Sequence, residues 1–222
     1  VHVGSHSRVT PAFRQVAGAE LLSALDAERD VVYALDADLT LQFLNLAWWN
    51  HAREHGGERC IASYALGASV RPVIPDVLRR FYEEAFASVL ASGAPLDHEY
   101  RCATPTEQQL FRMRVARLGA DGAVDTAGES PAFLVISNQL VHKEAAHEDE
   151  AVRLRSLRAY VGSDGILVQC SHCRRCRRLA TSDGEREREW EWDWVPAYVA
   201  SPPALVSHGL CTTCFAHHYP PG

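Results

Sequence analysis

The hydrophobic positions along this chain change period several times, and each change marks an element. Between Pro11 and Glu28 the apolar residues Phe13, Val16, Ala17, Leu21, Leu22 and Leu25 fall at helical spacing. Thr10 and Pro11 stand where an N-cap and a first helical residue belong, so an amphipathic leading helix is expected within segment 1–29. Val31-Val32-Tyr33-Ala34-Leu35 and Leu41-Gln42-Phe43-Leu44 then flank Asp36-Ala37-Asp38, which predicts a β-hairpin. Helical spacing returns from Leu46 to His55 and stops at Gly56-Gly57. A longer helix is expected from Asp76 to Ala91, opened by Pro75, with Val77, Leu78, Phe81, Ala85, Phe86, Val89 and Leu90 on one face and Ser92-Gly93 behind it. Three strands follow, Leu96 to Ala103, Gln108 to Leu118 and Ala132 to Val141, the last two separated by a loop from Gly119 to Ser130.

Charge dominates the next stretch. Lys143 to Tyr160 carries Ala151, Leu154, Leu157 and Val161 at helical spacing, which predicts a linker helix over 144–165 that Gly162-Ser163-Asp164-Gly165 ends. Its apolar stripe lasts barely two heptads, enough either for a short dimer seam or for packing on the sheet. Ile166-Leu167-Val168 reads as a strand. Glu189-Trp190-Glu191-Trp192-Asp193-Trp194 alternates strictly, so a strand there puts the three indoles on one face, as apolar cover for a small module or as a docking surface. Pro196 suits a short helix start.

Composition narrows the class. At 222 residues and 47% hydrophobic content the chain reads as globular, with room for one large or two modest domains. A net charge of -6 argues against a protein that coats nucleic acid or lies on a membrane surface. No apolar run reaches membrane-spanning length, and Val1 to Thr10 lacks the layout of a secretion signal, so a cytoplasmic location is expected. Seven cysteines is an odd number, and five of them fall after residue 169 in paired spacings. That pattern favours metal ligation over disulfides, leaving Cys60 and Cys102 as ordinary thiols.

Several residues carry candidate chemistry. Cys170-x-x-Cys173 and Cys211-x-x-Cys214 can each offer two thiolates from one tight turn, and together they complete a tetrahedral shell suited to Zn2+. Cys176 leaves alternatives open: a spare thiol, a partner of Cys173 in place of Cys170, or the third member of an iron-sulfur run that lacks its fourth cysteine and proline. His208 stands three residues before Cys211 as an alternate ligand or a loop-orienting group. Arg174, Arg175, Arg177 and Arg178 are placed to offset the negative charge of four thiolates, while the acidic run from Asp183 to Asp193 cancels their field for nucleic acid. His217 and His218 are read as exposed, and His51 and His55 as a solvated helix face.

Two stretches resemble known families. Asp30 to Asp36 with Phe43-Leu44-Asn45, and Tyr100-Arg101-Cys102-Ala103-Thr104-Pro105 with Leu110-Phe111-Arg112-Met113-Arg114-Val115, are similar to bacterial sensory PAS domains. The resemblance covers Asp30 to Val141 and implies a curled antiparallel sheet closed by helices around an interior that takes side chains or a small ligand. It does not identify the ligand. The helix Asp76 to Leu90 has no histidine for haem, and Cys60 lacks the asparagine-cysteine-arginine context of flavin photosensors. The final fifty residues, with Cys170-Ser171-His172-Cys173, Trp194, Tyr198 and Ser207-His208-Gly209-Leu210-Cys211-Thr212-Thr213-Cys214, resemble a C-terminal module of bacterial sensory and response-regulator proteins.

The expected fold class is α+β: a PAS-like five-stranded antiparallel sheet with flanking helices over 30–143, and a zinc-stapled module over 166–222. The resemblance implies a signal-transduction protein that acts through a signalling partner, with homodimerisation through the linker helix or the PAS-like domain and neither membrane nor nucleic acid as partner. No catalytic motif is present. The competing class is a thiol- or iron-sulfur-based redox sensor built on Cys170, Cys173 and Cys176.

Overall fold

In the computed structural model, which describes residues 8–54, 65–104, 106–119, 132–145, 156–179 and 191–220, the leading helix α1 (Pro11–Ala27) starts where the sequence places it. Thr10 caps it by accepting from the Phe13 amide at 3.3 Å, and its own hydroxyl donates to Gln42 Oε1 at 2.6 Å. Gly18, at φ 69°, then breaks the helical path with a conformation that side chains disfavour, so α1 is two shorter pieces. Thr10→Ala should cost about 1 kcal/mol, read as a lowered urea midpoint, and Thr10→Ser should restore most of it.

The predicted hairpin is β1 (Val31–Leu35) and β2 (Leu41–Leu44), paired with Tyr33 opposite Leu44 and a register shift at Ala34/Leu35. Its turn is held by the Asp36 carboxylate, which accepts from the Asp38 and Thr40 amides, the Thr40 hydroxyl and Gln42 Nε2. Helix α2 (Leu46–Glu54) follows, then a 3-10 turn at Arg71–Val73 and the long helix α3 (Asp76–Ser92). Leu78, Tyr82, Phe86 and Val89 form the buried stripe of α3. Strands β3 (Leu96–Ala103), β4 (Glu107–Leu118) and β5 (Phe133–Ala145) complete a five-stranded antiparallel sheet of order β2-β1-β5-β4-β3. The first and last strands in sequence thus lie side by side, with Tyr33 opposite Ile136.

Phe13 anchors the leading helix. It is fully buried, stacked on Phe43 at 5.6 Å and edge-on to Phe133 at 5.3 Å, in a cluster with Ala17, Val32, Ala34 and Leu118. The segment read as a separate N-terminal helix is therefore part of this core. Asn45 joins the pieces: its Oδ1 accepts from the Val32 amide (3.0 Å) and the Trp48 amide (2.9 Å), and its Nδ2 donates to the Asp30 carbonyl (2.8 Å).

The linker helix expected over 144–165 is not what its described ends form. β5 continues as strand through Ala145, and Leu157–Ala159 is a single 3-10 turn, while 146–155 lie outside the described residues. Strand pairing decides the near end. The twelve-residue β4 offers a ladder, and Lys143 reaches Glu107 at 3.3 Å, which outweighs the weak helical pattern of a charged run. The Gly119–Ser130 loop, all but its first residue, as well as Cys60 and His55, also falls outside the described residues.

Beyond Ser156 the chain builds a second, four-stranded sheet of order β8-β7-β6-β9 from β6 (Leu167–Cys170), β7 (Cys176–Arg177), β8 (Trp192–Asp193) and β9 (Val206–Gly209). Short helices α4 (Pro196–Ala200) and α5 (Thr212–His218) accompany it. The alternating tryptophan run is strand only at Trp192–Asp193 among its described residues. The chain divides into two compact units, the first comprising Val1–Ile74, Arg79–Glu99 and Arg112–Leu140, the second Pro75–Leu78, Tyr100–Phe111 and Val141–Gly222. The cysteine-bearing part thus includes two short pieces that the sequence assigns to the PAS-like region.

Candidate metal centre

Two strands side by side create the cysteine site. β6 and β9 run parallel with Cys170 opposite Gly209, so the turns that follow them emerge together. The first turn, Ser171–Cys173, is closed by the Cys170 amide donating to the Arg175 carbonyl (2.8 Å) and by Arg174 in the left-handed region at φ 62°. That conformation costs a side-chain-bearing residue roughly 1 kcal/mol, and it lies between Cys173 and the Arg175 carbonyl that the Cys170 amide reaches. After β9, Cys211 caps α5 through its sulfur, which accepts from the Cys214 amide at 3.5 Å.

The four sulfurs of Cys170, Cys173, Cys211 and Cys214 lie within 4.8 Å of one another, all four residues are buried, and none is in a disulfide. Cys173 Sγ and Cys211 Sγ are 3.6 Å apart. A tetrahedral ion with metal-sulfur bonds of about 2.3 Å separates its ligands by about 3.8 Å, so this donor set fits one four-coordinate metal ion. Hydrogen bonds from the Cys173, Cys211 and Cys214 thiols hold the Cys170 thiol well below its ordinary pKa. The same contacts, made to an ionised Cys170, push Cys173 and Cys214 up. Four thiolates at this spacing repel one another, and a divalent cation removes that repulsion.

Backbone amides reach the sulfurs. Besides the capping bond, the Cys211 amide donates to Cys170 Sγ at 3.4 Å. Of the arginines expected to serve the thiolates, Arg178 is used differently. Arg178 grips Asp193 with two hydrogen bonds of 2.7 Å and also pairs with Glu191, while Tyr160 donates to the same Asp193 at 2.8 Å. Burial, with the Asp193 bond behind it, pushes the Tyr160 phenol up to about 12. The mixed charges that cancel in the sequence therefore meet as a β7–β8 clasp.

Cys176 is not in the quartet. It is fully buried in a different cluster with Tyr160, Leu167 and Val195, and burial pushes its thiol up to about 11. Its nearest polar neighbours are Gln169 Nε2 at 3.8 Å and the Arg174 carbonyl at 3.9 Å. His208, opposite Gln169 on β9, is exposed and stands outside the quartet as well. Trp192 and Leu210 pack against the four cysteines, and Tyr198 against the cluster around Cys176, which gives these aromatics the role of core cover.

His218 corrects the sequence reading. It is 4% exposed, and its Nε2 lies 2.6 Å from Nδ1 of His172, itself 8% exposed. Sequence reasoning passed over this pair because its members are forty-six residues apart. The available signals were that His172 sits inside the first cysteine turn and that His218 follows Cys214 by one helical turn on α5.

No family model matches the chain, and no curated protein is significantly similar to it. Among solved structures it is similar to the PAS domain of BvgS from Bordetella pertussis, at 15% identity over 60% of this chain and 90% of that one, with a TM-score of 0.41. It is similar also to the PAS domain of an HTR-like protein from Haloarcula marismortui, at 14% identity over 55% of this chain and 95% of that one, with a TM-score of 0.37. A third is the photoactive yellow protein domain of the sensor histidine kinase Ppr from Rhodospirillum centenum, at 14% identity over 53% and 92%, with a TM-score of 0.31. Superpositions this loose add nothing to the sheet order and the cysteine geometry, on which the α+β, PAS-like description rests.

Proposed function

We propose that this chain is a cytoplasmic sensory protein in which the PAS-like domain responds to a small ligand or a partner. A zinc ion held by Cys170, Cys173, Cys211 and Cys214 keeps the second module folded for docking to a signalling protein or to a second copy of the chain. The buried sulfur quartet carries the reading. Its four donors leave no open coordination position for water or substrate, which is the character of a structural rather than a catalytic site. The module's own apolar cluster, Tyr160, Leu167, Cys176 and Val195, is small, and a unit of this size needs a staple. The sensory half rests on the sheet order β2-β1-β5-β4-β3 together with the PAS-like wording around Asn45 and Tyr100. No helix among the described residues is long and apolar enough to cross a membrane.

The redox alternative is weakened by Cys176. A neutral, buried thiol is a poor nucleophile and a poor sensor. An iron-sulfur cluster places several atoms between its thiolates, whereas these sulfurs are spaced for one ion.

Native mass spectrometry of the purified full chain tests the proposal and also reports any ligand retained by the PAS-like domain. One zinc per chain in a colourless sample is expected. Alkylation should reach the quartet only after chelation. Cys176→Ala should retain one zinc and lose about 1–2 kcal/mol of stability from its vacated core position. A brown sample, or quartet cysteines that react at once in untreated protein, would overturn the structural-zinc reading.

A further inference from the structure

Both members of the buried histidine pair are tied to the metal centre. His172 lies within the turn between Cys170 and Cys173, and His218 lies one helical turn beyond Cys214 on α5. Their rings meet edge to face at 4.0 Å, with the 2.6 Å nitrogen contact between them. Each side of the pair continues into a further contact of the same compact unit. The His172 ring lies 6.1 Å from that of Tyr100, which is stacked on Phe111 at 5.6 Å, and Tyr219, the residue after His218, donates to the Val77 carbonyl at 3.0 Å.

We propose that the His172–His218 hydrogen bond is a latch through which occupancy of the cysteine site controls the order of Tyr100–Phe111 and Pro75–Leu78. The inference rests on the structural-metal reading and extends it to regulation. Helix α5 has seven residues, far too few to persist on its own. What holds it is Cys211 at its cap, Cys214 in its first turn and His218 at its end. Loss of the ion frees the first two anchors, and the hydrogen bonds of His218 and Tyr219 are too weak to keep the helix in place. His218 and Tyr219 then leave together: His172 loses the hydrogen bond that fixes its ring beside Tyr100, and the Val77 carbonyl loses the Tyr219 hydroxyl. Because Tyr100–Phe111 contains the end of β3 and the start of β4, and Pro75–Leu78 the start of α3, a change in their order passes along continuous backbone into those elements.

Hydrogen exchange on the full chain, with and without zinc, tests the latch. Chelation of the wild-type protein should accelerate exchange in both segments. His218→Phe, which fills the volume without the hydrogen bond, should keep one zinc per chain yet exchange roughly tenfold faster over Tyr100–Phe111. His218→Gln, whose amide can restore a polar contact, should recover part of the protection. Tyr219→Phe removes a single hydroxyl, is compatible with folding, and should accelerate exchange at Pro75–Leu78 alone. Zinc-loaded His218→Phe and Tyr219→Phe proteins with wild-type protection would overturn the latch and leave the metal site standing. A wild-type protein that binds no zinc would overturn both.

Discussion

Replacing Cys211 by serine should empty the proposed zinc site and unfold the cysteine module. The substitution is selective because serine is itself a good N-cap, so α5 keeps a hydroxyl where the sulfur now accepts from the Cys214 amide. What disappears is a thiolate ligand. Structural zinc binding is coupled to about 10–16 kcal/mol of folding free energy, which is as large as the whole stability of an ordinary domain. A three-thiolate site retains only part of it, and the small cluster of Tyr160, Leu167, Cys176 and Val195 offers little to replace the rest. Zinc content should fall from one per chain to near zero, and exchange protection across β6 to β9 should collapse. Chelation of the wild-type protein should reproduce this pattern, as should acidification, because protons compete with the metal for thiolates. A Cys211→Ser protein with one bound zinc and native protection would remove the metal from the account of this module.

Asn45→Ala should produce the second large effect, in the first unit. Asn45 is fully buried and ties three elements together: β1 through the Val32 amide, the start of α2 through the Trp48 amide, and the segment after α1 through the Asp30 carbonyl. Alanine leaves two buried donors and one acceptor unpaired, each at about 1–3 kcal/mol, for a total of roughly 3–5 kcal/mol after relaxation. That corresponds to a drop in melting temperature on the order of 10 °C. Asn45→Asp sharpens the test. It keeps the two acceptor bonds but sets a carboxylate oxygen against the Asp30 carbonyl, and burial with that contact raises its folded-state pKa. A group with a raised folded pKa is destabilising when ionised, so Asn45→Asp should be clearly less stable at pH 7 than at pH 4 relative to wild type, whereas Asn45→Ala should show no such difference. Urea unfolding at the two pH values reads this out.

Much of the five-stranded sheet and its helices was legible because their periods are strong. The hairpin at Val31–Leu35 and Leu41–Leu44, the strand at Leu96–Ala103 and the helix from Asp76 agree with the structure to within a residue or two. These elements carry their own apolar faces, so local pattern and tertiary burial coincide. The break in α1 was not legible, since Gly18 within a helical pattern is usually tolerated. Nor was the extension of β5 to Ala145. Gln139 onward is exposed, so burial left no alternation to read, and pairing with a long neighbour alone makes it strand.

The second unit divides in the same way. The sequence by itself pointed to a four-sulfur donor set, because two cysteines separated by two residues can converge on one ion from a single turn, whatever the rest of the fold does. It did not determine which of Cys170, Cys173 and Cys176 belong to that set. The tertiary structure decided this by pairing β6 with β9 in parallel, which brings the turns carrying Cys170, Cys173, Cys211 and Cys214 together and leaves Cys176 one strand over, in the apolar cluster. It also decided the fate of His218, a tail residue that a helix capped by Cys211 carries back onto His172. Ligand spacing is a local property of the backbone and survives in the sequence, whereas strand pairing and burial depend on residues brought together from dozens of positions apart.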